Sequence, residues 1–286
     1  MSKPKPVAAT LPFGLKRKPF SLQPDPDFLF WSDLHKKAYA VLEYGLMMRA
    51  PITLLTGGIG TGKTTLVRRL IDEMKENTTF ALVSNTVIEQ GEILLWILNA
   101  LNLKIGSQDP YVVHFQMLQD FLIEEYAAGR RVVAIFDEAQ NLSPSGLEEL
   151  RMLTNINSGA DELLQLILIG QPELRQTILA PGLVQFAQRI SVRAHLQQMD
   201  RQMLGEYVIH RLRVAGGLGS EITEDALDLV FLTSKGVPRV INQIAEMAMT
   251  YAYAGNETEI TRQLVQQVLD DKVLLILDET HSEDER

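Results

Sequence analysis

A glycine-rich turn, GGIGTGKTT, follows directly on the short apolar run PITLLT and leads into the amphipathic stretch TTLVRRLIDEM. Few folds accept that order. A buried strand must end in a tight backbone turn, and a helix must start from it. Gly57, Gly62, Lys63 and Thr64 satisfy the spacing G-x-x-x-x-G-K-[ST]. Glycines let the backbone aim its N–H groups inward at an anion, and the following helix adds the positive end of its dipole. The whole turn, Gly57, Gly58, Ile59, Gly60, Thr61, Gly62, Lys63, Thr64 and Thr65, is therefore the expected cradle for the phosphates of ATP. Lys63 would reach the β- and γ-phosphates, and the Thr64 hydroxyl would ligate Mg²⁺. A glycine turn without a ligand is the plain alternative. The strand before it and the helix after it argue against that.

The rest of the chain extends the pattern. Strands are expected at Ile52–Thr56, Phe80–Asn85, Arg131–Phe136 and Leu163–Gly170, with a fifth around Ile190–Leu196. Helices are expected at Asp33–Arg49, Lys63–Lys75, Gly91–Leu101, Val112–Ala128 and Ser145–Thr154. Apolar strands alternating with helices predict a parallel sheet covered on both faces. From Asp200 the strand signal stops, and helices are expected near 200–215, 224–234, 238–254 and 262–271. The expected division is a basic, extended N-terminal segment over 1–32, an α/β domain over 33–196, a small all-α lid over 197–272 and an acidic tail over 273–286.

RVVAIF ends in two carboxylates, Asp137 and Glu138. Charges avoid the core of a parallel sheet, so a buried strand ending this way is unusual. Asp137 suits the Mg²⁺ shell. Glu138, one residue on, is expected on the opposite face, where it could orient and deprotonate an attacking water. A D-E pair capping a helix is the alternative. The strand ELLQLILIG ends at Gln171, which either bonds the attacking water or γ-phosphate or only caps the turn before Pro172. Two arginines could stabilise charge on the transferred phosphoryl group: Arg189 before the fifth strand and Arg239 at the start of a later helix. Arg193 competes with Arg189, Arg175 is weaker, and a surface salt bridge is the alternative for each. The histidines, His35, His114, His195, His210 and His281, lack metal-ligand spacing and are assigned no chemistry.

Composition narrows the class. The absence of cysteine rules out disulfides and thiolate metal sites. No run of 18 apolar residues appears, and the N-terminus lacks the apolar core of a signal peptide. A cytoplasmic protein is expected, with a peripheral place at the inner membrane as a variant of that expectation. A net charge of −9 argues against bulk, non-specific nucleic-acid binding. The ends are asymmetric: Lys3, Lys5, Lys16, Arg17 and Lys18 cluster at the start, and LDETHSEDER closes the chain. Both read as solvated tails, or the first as an arm for phosphate or anionic lipid.

The series PFSLQPDPDFLF, LEYGLMMRAPITLLTGGIGTGKTTL, VVAIFDEAQNL, LILIGQPEL, QRI and GVPRVIN resembles the ExeA-like, or general secretion pathway protein A, ATPases over roughly residues 11 to 255. The resemblance implies an α/β P-loop NTPase of the AAA+ kind: a five-stranded parallel sheet with helices on both faces, followed by a helical lid. It implies Lys63 and Thr64 on phosphate and Mg²⁺, and Asp137 and Glu138 as the acidic motif. Gln171 would match the first sensor, Arg189 the arginine finger and Arg239 the second sensor. A homo-oligomer, ring or filament, with ATP between neighbours is implied too. Type members continue into a transmembrane helix and a periplasmic peptidoglycan-binding domain. This chain has neither, so a direct role at the cell wall is not expected. Shorter members accompany pilus, exopolysaccharide-export and other envelope systems, which makes a protein of such a system the expected partner. The alternative is DNA: similar ATPases regulate transposition as filaments, and Lys36, Lys37, Arg49, Arg68, Arg69, Arg130 and Arg131 could supply part of a basic face.

Overall fold

The computed structural model describes residues 11–23, 25–84, 92–106, 109–158 and 161–274. Three apolar runs set its centre: β1 (Ile52–Gly57), β3 (Arg131–Phe136) and β6 (Leu164–Gly170). With β2 (Thr78–Val83) and β7 (Ile190–Leu196) they form a five-stranded sheet in the order β2-β3-β6-β1-β7. Every pairing is parallel. The inner strands are buried on both faces, as their unbroken apolar runs require. The edge strand β7 alternates partly buried and exposed positions.

Alternate residues face two cores. Val132, Ala134 and Phe136 point to one side of the sheet and Val133 and Ile135 to the other. The first side is closed by α3 (Ile93–Ala100), α4 (Tyr111–Ala127) and α5 (Pro144–Leu153), through Leu94, Leu98, Leu118, Leu122, Leu147 and Leu150. The second is closed by α1 (Asp33–Met47) and α2 (Lys63–Met74), through Leu42, Leu46, Leu66 and Leu70. Burying each such leucine stabilises the unit by about 1.5–3 kcal/mol. A helix carried on to Arg49 is not found: Arg49 takes a φ of 54°, which ends α1 and turns the chain into β1. Asn85 and Gly91, expected ends of a strand and a helix, lie outside the described residues. A short hairpin, β4 (Asn157–Ser158) with β5 (Asp161–Glu162), and two helices, α6 (Pro172–Ile178) and α7 (Val184–Arg189), also form.

The chain makes two compact units. One is Trp31–Gln197, just described. The other joins the chain up to Phe30 with the chain from Gln198 onward. Its helices are α8 (Arg201–Val214), α9 (Glu224–Ser234), α10 (Pro238–Gly255) and α11 (Arg262–Asp270). Asp200 caps α8 by accepting the Met203 N–H at 2.7 Å, whereas Thr223 stands at the start of α9 without a side-chain cap. Gly255 is the last residue of α10, and the left-handed residue that stops the helix is Asn256. Residues 19–30 hold a short 3₁₀ turn at Pro26–Phe28, and Phe20 and Phe28 are buried in the helical core beside Leu204, Val208 and Ile241. Arg211 donates to the Pro19 carbonyl and stacks over the Phe28 ring at 5.0 Å. The basic residues Lys3 and Lys5 and the acidic end from Asp278 lie outside the described residues. Among the described residues no helix is long and apolar enough to cross a membrane.

Candidate nucleotide site

Parallel strands put all their carboxyl ends on one edge. The ends of β1, β6 and β3 are successive neighbours there. The loop Gly57–Gly62 leaves β1, Gln171 follows β6, and Asp137 with Glu138 follows β3. Sheet order alone therefore gathers the residues singled out by sequence, Arg189 and Arg239 excepted.

Gly60 and Gly62 hold φ of 73° and 95°, which L side chains rarely adopt. Gly62 is also the N-cap of α2 and has no side chain to satisfy the first N–H groups, of Lys63, Thr64 and Thr65. They remain available to an anion. The Lys63 side chain folds back over the loop and donates to the carbonyls of Gly57 and Gly58, both at 2.8 Å. Burial pushes its ammonium pKa down, against the opposing pull of Glu138, Asp137 and Glu173. A buried cation bonded to neutral carbonyls fits an anionic ligand. Thr61 ties the loop to itself, its hydroxyl donating to the Gly58 carbonyl at 2.9 Å, and Ile59 is exposed at the tip.

The Thr64 hydroxyl donates to Asp137 Oδ2 at 2.8 Å, and the other Asp137 oxygen accepts the Glu138 N–H at 3.0 Å. A hydroxyl and a carboxylate this close are a hard-oxygen pair of the kind Mg²⁺ takes, with water and phosphate oxygens completing the shell. The residues present therefore fit the ion. Glu138 departs from the expectation of strand alternation. The strand stops at Phe136, and Glu138 stands beyond it at φ 57° and ψ 36°. Its direction is set by a left-handed turn into a 3₁₀ turn, Ala139–Asn141, and its side chain makes no cap.

Gln171 is the N-cap of α6, yet its side chain makes no cap bond either. Its backbone N–H donates to Gln140 Oε1 at 3.0 Å, and Gln140 Nε2 donates to Glu138 Oε2 at 2.7 Å. Gln140 was not singled out by sequence, although an amide two residues after Glu138 is visible in DEAQ. His35 is the second such residue. Buried at the start of α1, it sits 2.7 Å from the Ser32 hydroxyl through Nδ1 and 3.2 Å from the Thr61 carbonyl through Nε2. Donation to a carbonyl makes Nε2 the protonated nitrogen. Burial pushes the ring's pKa down, partly offset by the Thr61 bond.

Arg189 is not with the others. It precedes β7, and β7 runs parallel to β1, so it lies at the amino end of the sheet. There it bonds Asn155 and pairs with Glu162 at 3.5 Å. Arg193 is exposed on β7 and Arg175 lies in α6. Arg239 is exposed at the second residue of α10, in the helical unit.

Residues 46–178 match the family of AAA domains. General secretion pathway protein A of Aeromonas hydrophila is 40% identical over 248 residues, covering 87% of this chain and 45% of the relative. The chain thus spans about half the length of that curated relative. Cdc6p of Pyrobaculum aerophilum superposes with a TM-score of 0.68 at 18% identity, over 91% of this chain and 72% of that one. The ORC2 protein of Aeropyrum pernix gives a TM-score of 0.67 at 18% identity, over 90% and 72%. The RuvB branch migration motor of Thermotoga maritima gives 0.57 at 20% identity, over 85% and 70%. The fold and the match to the AAA domain family put the chain in the AAA+ class. The chain belongs to the ExeA-like family, that of general secretion pathway protein A.

Proposed function

We propose that this chain hydrolyses Mg²⁺-bound ATP as an oligomer and drives or switches an envelope assembly, secretion or polysaccharide-export system. The observation that carries the chemical part is the Thr64–Asp137 pair at 2.8 Å, with Lys63 and Glu138 beside it at the carboxyl ends of neighbouring strands. Backbone N–H groups of the loop and the start of α2 bind the phosphates, and Lys63 turns its ammonium from the loop carbonyls toward them. Thr64 and Asp137 would hold Mg²⁺, which would neutralise phosphate charge when bound. Glu138 orients a water and accepts its proton as the oxygen attacks the γ-phosphorus. The bond from that phosphorus to the bridging oxygen breaks, leaving ADP and phosphate. To Gln171, which follows the strand between that of the loop and that of Glu138, we assign sensing of the γ-phosphate.

Arg189 lies at the opposite end of its own sheet, which supports a role at a neighbour's nucleotide rather than its own. Arg239 we assign to sensing nucleotide from the helical unit. The envelope role is supported by the relative's name, secretion pathway protein A, and the share of this chain that matches it. The test is ATPase rate against protein concentration, for wild type and Arg189→Ala, with and without double-stranded DNA at near-physiological salt. A specific rate that rises with concentration in wild type, stays low in the variant and ignores DNA supports the proposal. A rate independent of concentration rejects the assembly. A rate stimulated by DNA and lost steeply with salt rejects the envelope reading in favour of a DNA-bound filament.

A further inference from the structure

We propose that Gln140 is a positioning residue for hydrolysis, fastening the Glu138 carboxylate to the tip of β6. The inference rests on Glu138 being the base. Gln140 spends both ends of its amide on the site. Nε2 donates to Glu138 Oε2 at 2.7 Å, and Oε1 accepts the Gln171 N–H at 3.0 Å. The two bonds settle which amide atom is which, since a flipped group would set oxygen against carboxylate and N–H against N–H. The amide stands on a turn that is itself closed, with the Asn141 N–H donating to the Glu138 carbonyl at 3.0 Å. Ala139, between Glu138 and Gln140, is fully buried and anchors that turn.

Its seat is narrow. A side chain at Gly170 would meet Gln140 Oε1 at 3.0 Å and Leu174 Cδ2 at 2.7 Å. The bare backbone there gives the amide room to reach the Gln171 N–H. A glutamate side chain turns about several bonds, and a base must hold its oxygen within hydrogen-bond reach of one water. Donation from the Gln140 amide to one carboxylate oxygen restricts that rotation and holds the carboxylate toward the tip of β6. Because the same amide is held by the backbone after β6, any shift of that strand tip moves the carboxylate with it. Only a group with a donor and an acceptor on one carbon does both. Glutamate at 140 keeps the acceptor toward Gln171 and loses the donor toward Glu138. Methionine keeps the length and loses both.

The test compares Gln140→Met, Gln140→Glu, Glu138→Gln and the double variant Glu138→Gln with Gln140→Met, reading kcat for ATP and calorimetric Kd for ADP. Both Gln140 variants are expected to lose about 10- to 100-fold in kcat, with ADP affinity within about twofold, because the base is misplaced and the phosphate cradle is not. The double variant is expected to turn over no more slowly than Glu138→Gln alone, since a misplaced base and an absent one are one defect. A purely structural role for Gln140 would lower ADP affinity and add to the loss. Normal kcat in Gln140→Met, or an additive loss in the double variant, overturns the proposal. If Gln140→Met does not fold, the closer isostere Gln140→Glu decides alone. Should Glu138→Gln itself turn over normally, the assignment of the base falls instead. A silent Gln140→Met beside a dead Glu138→Gln rejects Gln140 only.

Discussion

The two ends of the sheet use polar side chains in opposite ways. At the amino end, polar groups close on one another. Arg49 and Tyr126 share the Asp161 carboxylate, Arg131 donates to the Leu46 carbonyl at 2.7 Å, and Gln165 spans the Gly45 and Ala50 carbonyls at 3.3 and 3.2 Å. At the carboxyl end the same kinds of group are left with capacity to spare. Lys63 rests on neutral carbonyls, the first turn of α2 has no side-chain cap, and Asp137 accepts from the Thr64 hydroxyl. The groups just named at the first end are bonded to one another, whereas those at the second are arranged for a charged ligand. The contrast explains why strand ends of similar composition differ in role, and it can be broken experimentally.

The largest effect is expected at the carboxyl end. Glu138→Gln should cut turnover by about 10²- to 10⁴-fold, the range of general-base contributions, while ATP still binds. Steady-state hydrolysis beside equilibrium binding checks this. Surviving turnover would remove the base from the account. Lys63→Ala comes next. Losing charged hydrogen bonds to phosphate should cost about 2 kcal/mol, or about 30-fold in ATP affinity by calorimetry.

A smaller effect concerns His35. Its pKa is pushed down by burial, so the folded chain holds the ring neutral while the unfolded chain titrates near the ordinary 6.5. Stability from this residue is complete above pH 6.5 and is lost as pH falls below it, because the unfolded state takes up the proton first. His210 is lowered too, by burial and by Arg211, so the comparison must be wild type against His35→Gln. Thermal melts from pH 8 to 5 should show the steeper decline in wild type. The smallest effect belongs to the amino end. Asp161→Asn breaks an exposed pair and should leave turnover within about twofold. A large loss there would erase the difference between the two ends.

Much of this was legible in the amino-acid sequence. Runs such as LQLILIG declare an inner parallel strand, and GGIGTGKTT declares its turn, because spacing and residue type carry the physics locally. Short α6 and α7 escaped because so few residues give little periodicity, and their boundaries are set by tertiary packing. His35 escaped for another reason. A lone histidine on a helix reads as core, and its partner is the backbone of Thr61, which carries no sequence signal. Glu138 was assigned a direction by strand alternation, but the strand had already ended and a left-handed residue re-aimed it.

The central claim is that one edge of the sheet holds a Mg²⁺–nucleotide site. It is tested most directly by ATP affinity with Mg²⁺ and with chelator, in wild type and in the isosteric Asp137→Asn. Wild type should bind ATP more tightly with Mg²⁺, and the variant should lose most of that gain while keeping its affinity in chelator. Equal dependence on Mg²⁺ in both proteins would contradict the account.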